Sequence, residues 1–428
     1  MGGTLNLMPV GGGGIGPCSR GTVVSAATDP AAGGCLDEAA ALVDALPDGM
    51  LSQFVPATVW LGWGEVNNDQ LERAVRHFER GLRLARSTGQ TYMVAYLNSA
   101  LGAVGALTGS APAATRCFED SLDAAALTGS DEMRAAALTV GCMLAVRRGD
   151  LADAVRMGAE AVDAVGHRDR WLASVATPQL ANALVSTGDH HAAIELLTRA
   201  GGGPELPAVD RVMRVNWYLV LTEAAVLAGL PAEAVAWADQ AEAAAAAVDR
   251  ASRTGLALLA RATATLSTDP VAAAALALAA AEHLERTGIV VDRGRALMLA
   301  GAALGVLGES DRARACFATA RTLFQDAEAH LFLRQLIREE RRMMARRRPP
   351  GPLAGAFAER YGLTRREVDT VALLAEGLTN REIGQRLHIS PKTVEVNLSR
   401  IYARLGISGR AALAGIWAGQ CAGSGTEG

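Results

Sequence analysis

Lysine occurs once in 428 residues, at Lys392, so the other 40 basic side chains are arginines. That scarcity removes any chemistry that needs a catalytic or phosphate-gripping lysine elsewhere: a P-loop requires one at a fixed place after its glycines, and a phosphoacceptor receiver requires one in its active site. The six cysteines, Cys18, Cys35, Cys117, Cys142, Cys316 and Cys421, stand singly with no CxxC pair, which excludes a disulfide framework or a zinc ribbon and leaves reduced thiols behaving as small buried hydrophobes. Long apolar runs are missing as well. Arginine or an acid interrupts every Ala/Leu stretch before the roughly 18 residues of a membrane span are reached, and no secretory leader precedes the first cysteine. A soluble, cytoplasmic chain with no membrane partner is expected. Neither HExxH nor GxSxG occurs, and His190 and His191 stand at a helix start without a third ligand. No catalytic residue, no metal site, no cofactor and no enzyme activity are therefore expected.

What is present is alanine and glycine within a chain that is 50% hydrophobic but 4% aromatic, a composition suited to closely packed helices. Residues 1–35 form a Gly-rich leader, expected to be flexible. Its run from Gly11 to Gly16 satisfies GxGxxG on paper, but no strand precedes it and Pro17 follows at once, so the strand, turn and helix N-terminus of a dinucleotide site are missing. From 36 to 342 turn signals recur at Asn68, Gly109, Gly149, Gly188, Gly229, Thr268 and Gly308, with gaps of 41, 40, 39, 41, 39 and 40. A period near 40 means stacked helix pairs. After Asn68 the apolar positions Leu71, Ala74, Val75, Phe78, Leu82 and Ala85 share one stripe, and after Gly308 Ala313, Cys316, Phe317, Ala320 and Phe324 do the same. The pattern, with small residues after each turn as in LADAV (151–155) and PAEAV (231–235), resembles the longer tetratricopeptide-like repeats. It implies a solenoid with a long concave surface for a protein or small-molecule ligand.

The segment 338–352, REERRMMARRRPPGP, holds six arginines and reads as a linker, its arginines either a solvated helix end or an arm for phosphates. Beyond it, capping boxes pair Thr364 with Glu367 and Thr379 with Glu382, and Ser390 before Pro391 marks a third helix start. Helices are expected at about 364–376, 380–387 and 391–405, with a fourth from Ser408 to about 419. In the third, Val394, Leu398, Ile401 and Leu405 form a stripe that should pack on Ile383, Leu387, Val371 and Leu374, leaving Glu395, Val396 and Ser399 on an exposed face. A short helix, a turn at His388–Ser390 and a helix with a free polar face make a helix-turn-helix, whose second helix enters the major groove of double-stranded DNA.

Residues 363–413 resemble the LuxR-type helix-turn-helix domain. The matching positions are Leu363, Thr364, Arg366 and Glu367, then Gly377, Asn380, Glu382, Ile383 and Leu387, and then Ser390, Thr393, Val394, Ile401, Leu405, Gly406 and Arg410. The resemblance implies base contacts from Glu395, Val396 and Ser399, and DNA-backbone contacts from Asn380, Lys392, Thr393, Asn397 and Arg400. This division suits the chemistry of the side chains, since lysine and arginine neutralise phosphates while glutamate accepts from cytosine N4 and valine touches a thymine methyl. Asn397 stands where many members have histidine, and Glu395 where many have lysine; these departures bear on the target sequence, not the fold. In the last helix Leu413, Ile416 and Trp417 would form the homodimer contact that the family implies, or else pack on the first helix. Over 338–420 there are 15 basic against 8 acidic residues, leaving 26 against 37 elsewhere, so the basic end is the one suited to DNA.

The expected architecture is all-α: a flexible leader (1–35), a tetratricopeptide-like helical solenoid (36–342), a basic Pro-rich linker (343–356), a four-helix LuxR-type domain (357–420) and a disordered tail (421–428). A lactone-sensing domain is not supported by Trp60 and Trp63 in this helical context. Residues 40–340 instead resemble the helical part of the large ATP-binding LuxR regulators, notably in DALPDGM, WLGWGEVNNDQ and ERGLRLARSTGQ, and the chain is expected to be a shortened member or a fragment without their ATPase domain. The resemblance implies a transcription regulator, an activator that engages RNA polymerase, of the kind that often serves secondary-metabolite gene clusters. The alternative is a repeat-based interaction scaffold with a vestigial DNA-binding domain.

Overall fold

The computed structural model describes residues 32–166, 169–347, 352–387 and 389–423. The glycine run at 11–16, Cys18, the segment 349–351, His388 and the residues from 424 onward lie outside the described residues. Every regular element described is helical, and the chain divides into two units, Met1–Met343 and Met344–Gly428.

In the first unit α1 (Ala32–Ala45) and the one-turn α2 (Asp48–Leu51) precede seven helix pairs. These are α3–α4 (Pro56–Asn67, Leu71–Ser87), α5–α6 (Thr91–Thr108, Ala111–Thr128), α7–α8 (Asp131–Arg148, Leu151–Val165) and α9–α10 (Arg170–Thr187, His190–Gly201). They continue as α11–α12 (Arg214–Ala228, Pro231–Val248), α13–α14 (Ala251–Thr265, Pro270–Arg286) and α15–α16 (Val290–Val306, Ser310–Asp326), and α17 (His330–Arg347) follows. Helix α1 begins at Ala32, inside the stretch expected to be a flexible leader.

Each of the seven predicted turns falls inside one pair. Five are glycines in the left-handed region, with φ between 76° and 100°, where any other residue pays for its Cβ. At Asn68 the left-handed residue is its neighbour Asp69, φ 61°. At Thr268 the next residue takes over, the Asp269 carboxylate accepting from the Ala272 N–H at 3.0 Å to start α14.

The period is written most clearly in alanine. Ala74, Ala114, Ala154, Ala193, Ala234, Ala273 and Ala313, one in the first turn of each second helix, are all fully buried. There the two helices of a pair lie too close for a larger side chain: a Cβ added to Gly105 of α5 would stand 3.2 Å from the Ala114 Cβ. One turn on, aromatic rings fill glycine notches in the neighbouring helix. A Cβ on Gly62 would meet the Phe78 ring at 2.3 Å, one on Gly141 the Phe118 ring at 2.6 Å, and one on Gly301 the Phe317 ring at 2.7 Å.

The first helices of successive pairs also stack on one another, from α3 on α5 through to α13 on α15, and this inner layer comes round on itself. Trp63 of α3 meets Trp171 of α9 edge-on at 5.8 Å, and α15 packs against α5. One continuous core runs through Val59, Leu97, Trp217, Leu256 and Ala296. The long concave surface expected of the solenoid is thus largely taken up by the chain's own inner helices. Some of its polar groups are paired: Arg295 of α15 binds Glu223 of α11 and, at 2.7 Å, Asp292, and its guanidinium lies 5.4 Å from the Phe332 ring centre. Arg147, at the end of α7, donates to the Ala106 carbonyl; burial lowers its pKa to about 10, against the pull of Asp292.

Replacing Ala114 with leucine forces a branched side chain against Gly105. The substitution should cost about 1–3 kcal/mol, whereas Leu127→Ala, at a position 82% exposed, should stay within about 0.5 kcal/mol. Chemical denaturation of the full chain compares the two.

Candidate nucleic-acid interface

The second unit holds α18 (Pro352–Tyr361), α19 (Arg365–Ala375), α20 (Asn380–Leu387), α21 (Pro391–Leu405) and α22 (Arg410–Gly423). The first half of α18, residues 352–356, lies where a linker was expected. Pro352 is its first residue, where a missing N–H costs nothing, so the proline that stops one helix opens the next. Phe357 of α18 is fully buried, between Tyr361 at 4.7 Å and Trp417 at 4.9 Å.

The three predicted helix starts are all present. The Thr364 N–H donates to Glu367 Oε2 at 2.7 Å and the Glu367 N–H returns to the Thr364 hydroxyl at 3.4 Å. Thr379 and Glu382 repeat this at 2.7 and 3.3 Å. Ser390 Oγ accepts from the Thr393 N–H at 3.0 Å. The buried stripe of α21 is as expected: Val394, Leu398 and Ile401 close on Ile383, Val371 and Leu374, with Leu387 and Leu405 at the margin. With one stripe committed to the core, the opposite side of α21 faces outward.

On that side Lys392, Thr393, Glu395, Val396, Ser399 and Arg400 are exposed, and Asn397 is half-buried. Val396 is 41% exposed, an apolar side chain standing free on an otherwise polar face. The Lys392 ammonium lies 3.1 Å from Glu395 Oε2, a solvent-exposed pair that holds little energy and so yields readily to a phosphate. Ser399 Oγ donates to the Glu395 carbonyl at 2.9 Å, which leaves its lone pairs outward. Asn380 sits apart from this face: its Oδ1 accepts from Arg410 Nη1 at 3.1 Å, and Arg410 also binds the Leu378 carbonyl. Arg410 thereby ties the start of α20 to the start of α22.

Of the two roles open to the apolar residues of the last helix, packing within the domain is the one present. Leu413 is fully buried and belongs to the domain's own core, while Trp417 lies edge-on to Phe357 and Ile416 is partly buried beside them. These apolar residues are engaged within one copy; Ala411, Ala412, Gly415 and Ala418 are the exposed ones.

Three features of the site are not legible in the spacing of the sequence. Gly384, inside α20, is where the turn folds back: a Cβ there would stand 2.7 Å from the Ile389 carbonyl oxygen and 3.4 Å from the Pro391 nitrogen. A glycine within a predicted helix was the available signal. Arg381 and Gln385, in the first and second turns of α20, line an open groove with Gly384, Ile389, Ser390 and Pro391. The third is Arg404, near the end of α21. Its guanidinium donates to the Gly362 carbonyl at 2.9 Å and to Glu367 Oε2 at 3.2 Å, locking the end of α21 to the first cap.

Residues 362–416 match the family described as bacterial regulatory proteins, luxR family, and the C-terminal unit carries a LuxR-type helix-turn-helix domain. A protein named as an HTH-type transcriptional regulator in Mycobacterium tuberculosis is 47% identical over 51 residues, which are 12% of this chain and 6% of that one. The transcriptional regulatory protein LiaR of Bacillus subtilis is 46% identical over 48 residues, 11% of this chain and 23% of LiaR. The match thus spans a small fraction of these relatives. Among solved structures, a Rap protein complexed with competence and sporulation factor superposes with a TM-score of 0.55 at 13% identity, over 68% of this chain and 80% of that one. The last likeness is one of fold, and it makes the first unit a tetratricopeptide-like helical domain.

Gly384→Ala should push the turn off α20 and destabilise the C-terminal unit by about 1–3 kcal/mol, read as a lower melting temperature and weaker DNA retention. The caps add a pH dependence. Burial raises the Glu367 pKa, but the Thr364 N–H, its hydroxyl and Arg404 outweigh it and hold the carboxyl below its ordinary value; the Thr379 N–H does the same for Glu382. Carboxyls depressed by folding contribute stability that is complete above their unfolded pKa, about 4.3, and lost as pH falls through the folded value. Glu367→Gln should flatten the acid limb of the unfolding profile between about pH 5 and 3; an unchanged limb would refute the assignment.

Proposed function

We propose that this protein is a sequence-specific DNA-binding transcriptional regulator that reads double-stranded DNA through the outer face of α21. The observation that carries the reading is the division of that helix: Val394, Leu398 and Ile401 seated in the core, and Lys392, Glu395, Val396, Ser399 and Arg400 presented together outside. Glu395, Val396 and Ser399 are assigned to base edges, and Lys392, Thr393, Asn397 and Arg400 to the DNA backbone. Asn380 contributes at most after release from Arg410. The curated relatives named as transcriptional regulators support the role, through the domain they share.

Two copies on an inverted repeat, with half-sites about one helical turn apart, fit a unit of this size. Pairing through α22 would use its exposed small residues, because Leu413 is already buried. The solenoid acts as the sensor or protein-interaction module, and recruitment of RNA polymerase makes the protein an activator, with a secondary-metabolite gene cluster as the target. Its proposed role involves no catalysis.

Selection of bound fragments from a genomic library, at near-physiological salt, should return a palindromic site. No selected sequence would leave the scaffold reading. Lys392→Ala should weaken binding evenly across sequences and reduce the salt slope by about one. Glu395→Ala or Val396→Ala should change preference at a single base position by about 1–3 kcal/mol; identical preference profiles in wild type and both variants would refute the base-contact assignment.

A further inference from the structure

Where the inner layer of the first unit meets itself, the end of α3 and the start of α13 are brought together across more than 180 residues of sequence. Arg250 Nε and Nη2 donate to Asn68 Oδ1 at 2.9 and 2.6 Å. Asp69 Oδ2 accepts from the Ser252 N–H at 3.0 Å, capping α13 from a distant part of the chain. Beneath this rim lies Arg253, in the first turn of α13 and 7% exposed.

Its surroundings are unusual for a buried arginine. Among the described residues no carboxylate lies within ion-pair distance of it. Its two contacts are to neutral amides, Nη1 to Asn216 Oδ1 at 3.2 Å and Nη2 to Asn67 Oδ1 at 3.3 Å, both longer than the ~2.7–2.9 Å typical of charge-assisted bonds. Nε has no acceptor, and neither does the Nδ2 of Asn67, itself 3% exposed. One turn back on α3, the buried Trp63 Nε1 is likewise without a partner. A guanidinium offers five N–H donors in a planar fork, and each buried donor left unpaired loses its hydration without a replacement bond. Its position worsens matters, since the N-terminal turn of a helix disfavours a cation and favours an anion.

The geometry points to a binding site for a carboxylate anion at this seam, held in a bidentate grip by Arg253 and by the Asn67 amide turned so that its N–H₂ faces the ligand. A planar, singly charged carboxylate matches the fork of the guanidinium. A phosphate dianion would bring a second charge into a place where, among the described residues, Arg253 is the one buried cation and Asp69 stands at the same helix start. The rim of Asn68, Asp69, Gln70, Asn216 and Arg250 is only partly buried, so the pair is approached from the edge of the solenoid. Because its two halves belong to the first and sixth helix pairs, the ligand would hold the inner layer closed. This gives a ligand class to the sensor role proposed above and rests on that reading for its consequence alone; the test below involves no DNA.

Thermal unfolding of the full chain is measured in sodium acetate, in acetamide and in sodium chloride of matched ionic strength. Acetate should raise the melting temperature saturably, by about 2–4 °C near ten times its dissociation constant, with no rise in acetamide or chloride. Arg253→Met, which removes a buried charge with little change in length, should melt no lower than wild type and lose the acetate response. Asn67→Asp, which supplies a carboxylate from the chain itself, should melt higher and also lose the response. An acetate effect that survives Arg253→Met, no effect in wild type, or a lower melting temperature for Asn67→Asp would each overturn the site. DNA retention by the same variants is a separate measurement, so failure here leaves the DNA-binding reading intact.

Discussion

The close approach of two helices over an alanine is the contact on which the first unit depends. In each of the seven pairs, the first turn of the second helix places an alanine against its neighbour with no exposed surface at all. A leucine there would separate the helices by the width of a side chain. Because the contact recurs about every 40 residues, a small error at one pair would be carried into the stacking of the next. The glycine notches under Phe78, Phe118 and Phe317 serve the same register: the ring takes the volume that the missing side chain leaves, so close packing is kept without an open cavity.

Once the pairs are held at that spacing, the inner helices are driven round until the first pair faces the sixth. The seam so formed is apolar where Trp63 meets Trp171 and polar where Asn67 and Asn68 meet Arg250 and Arg253. Apolar contact supplies most of the cohesion. The polar contacts fix orientation, and an arginine that lacks an acid partner inside such a seam is stabilising only if something else completes it.

The second unit solves a different problem, which is to keep a helix face free. It does so by tying everything else down. Arg404 fastens the end of α21 to the cap of α19, Arg410 fastens the start of α20, and Gly384 lets the turn after α20 pass close beneath it. Asn380 and Leu413 are tied down in the same way. Each has a partner inside the domain, Asn380 through Arg410 and Leu413 through the core around Phe357, and neither partner lies at a helical spacing from it.

The sequence by itself determined the helical class, the period of 40, the three caps of the C-terminal unit and the stripe of α21, together with the polar face opposite that stripe. These are local quantities, decided by residues three or four apart or by a single turn, and so they are readable from spacing. The tertiary structure alone decided that the solenoid's inner face is filled, that Pro352 begins a helix, that Gly384 carries the turn and that Arg253 is buried without an acid. Each of these depends on which distant segments touch, as with Asn67 and Arg253, and a pattern of period 3.6 or 40 specifies a face without naming what will cover it.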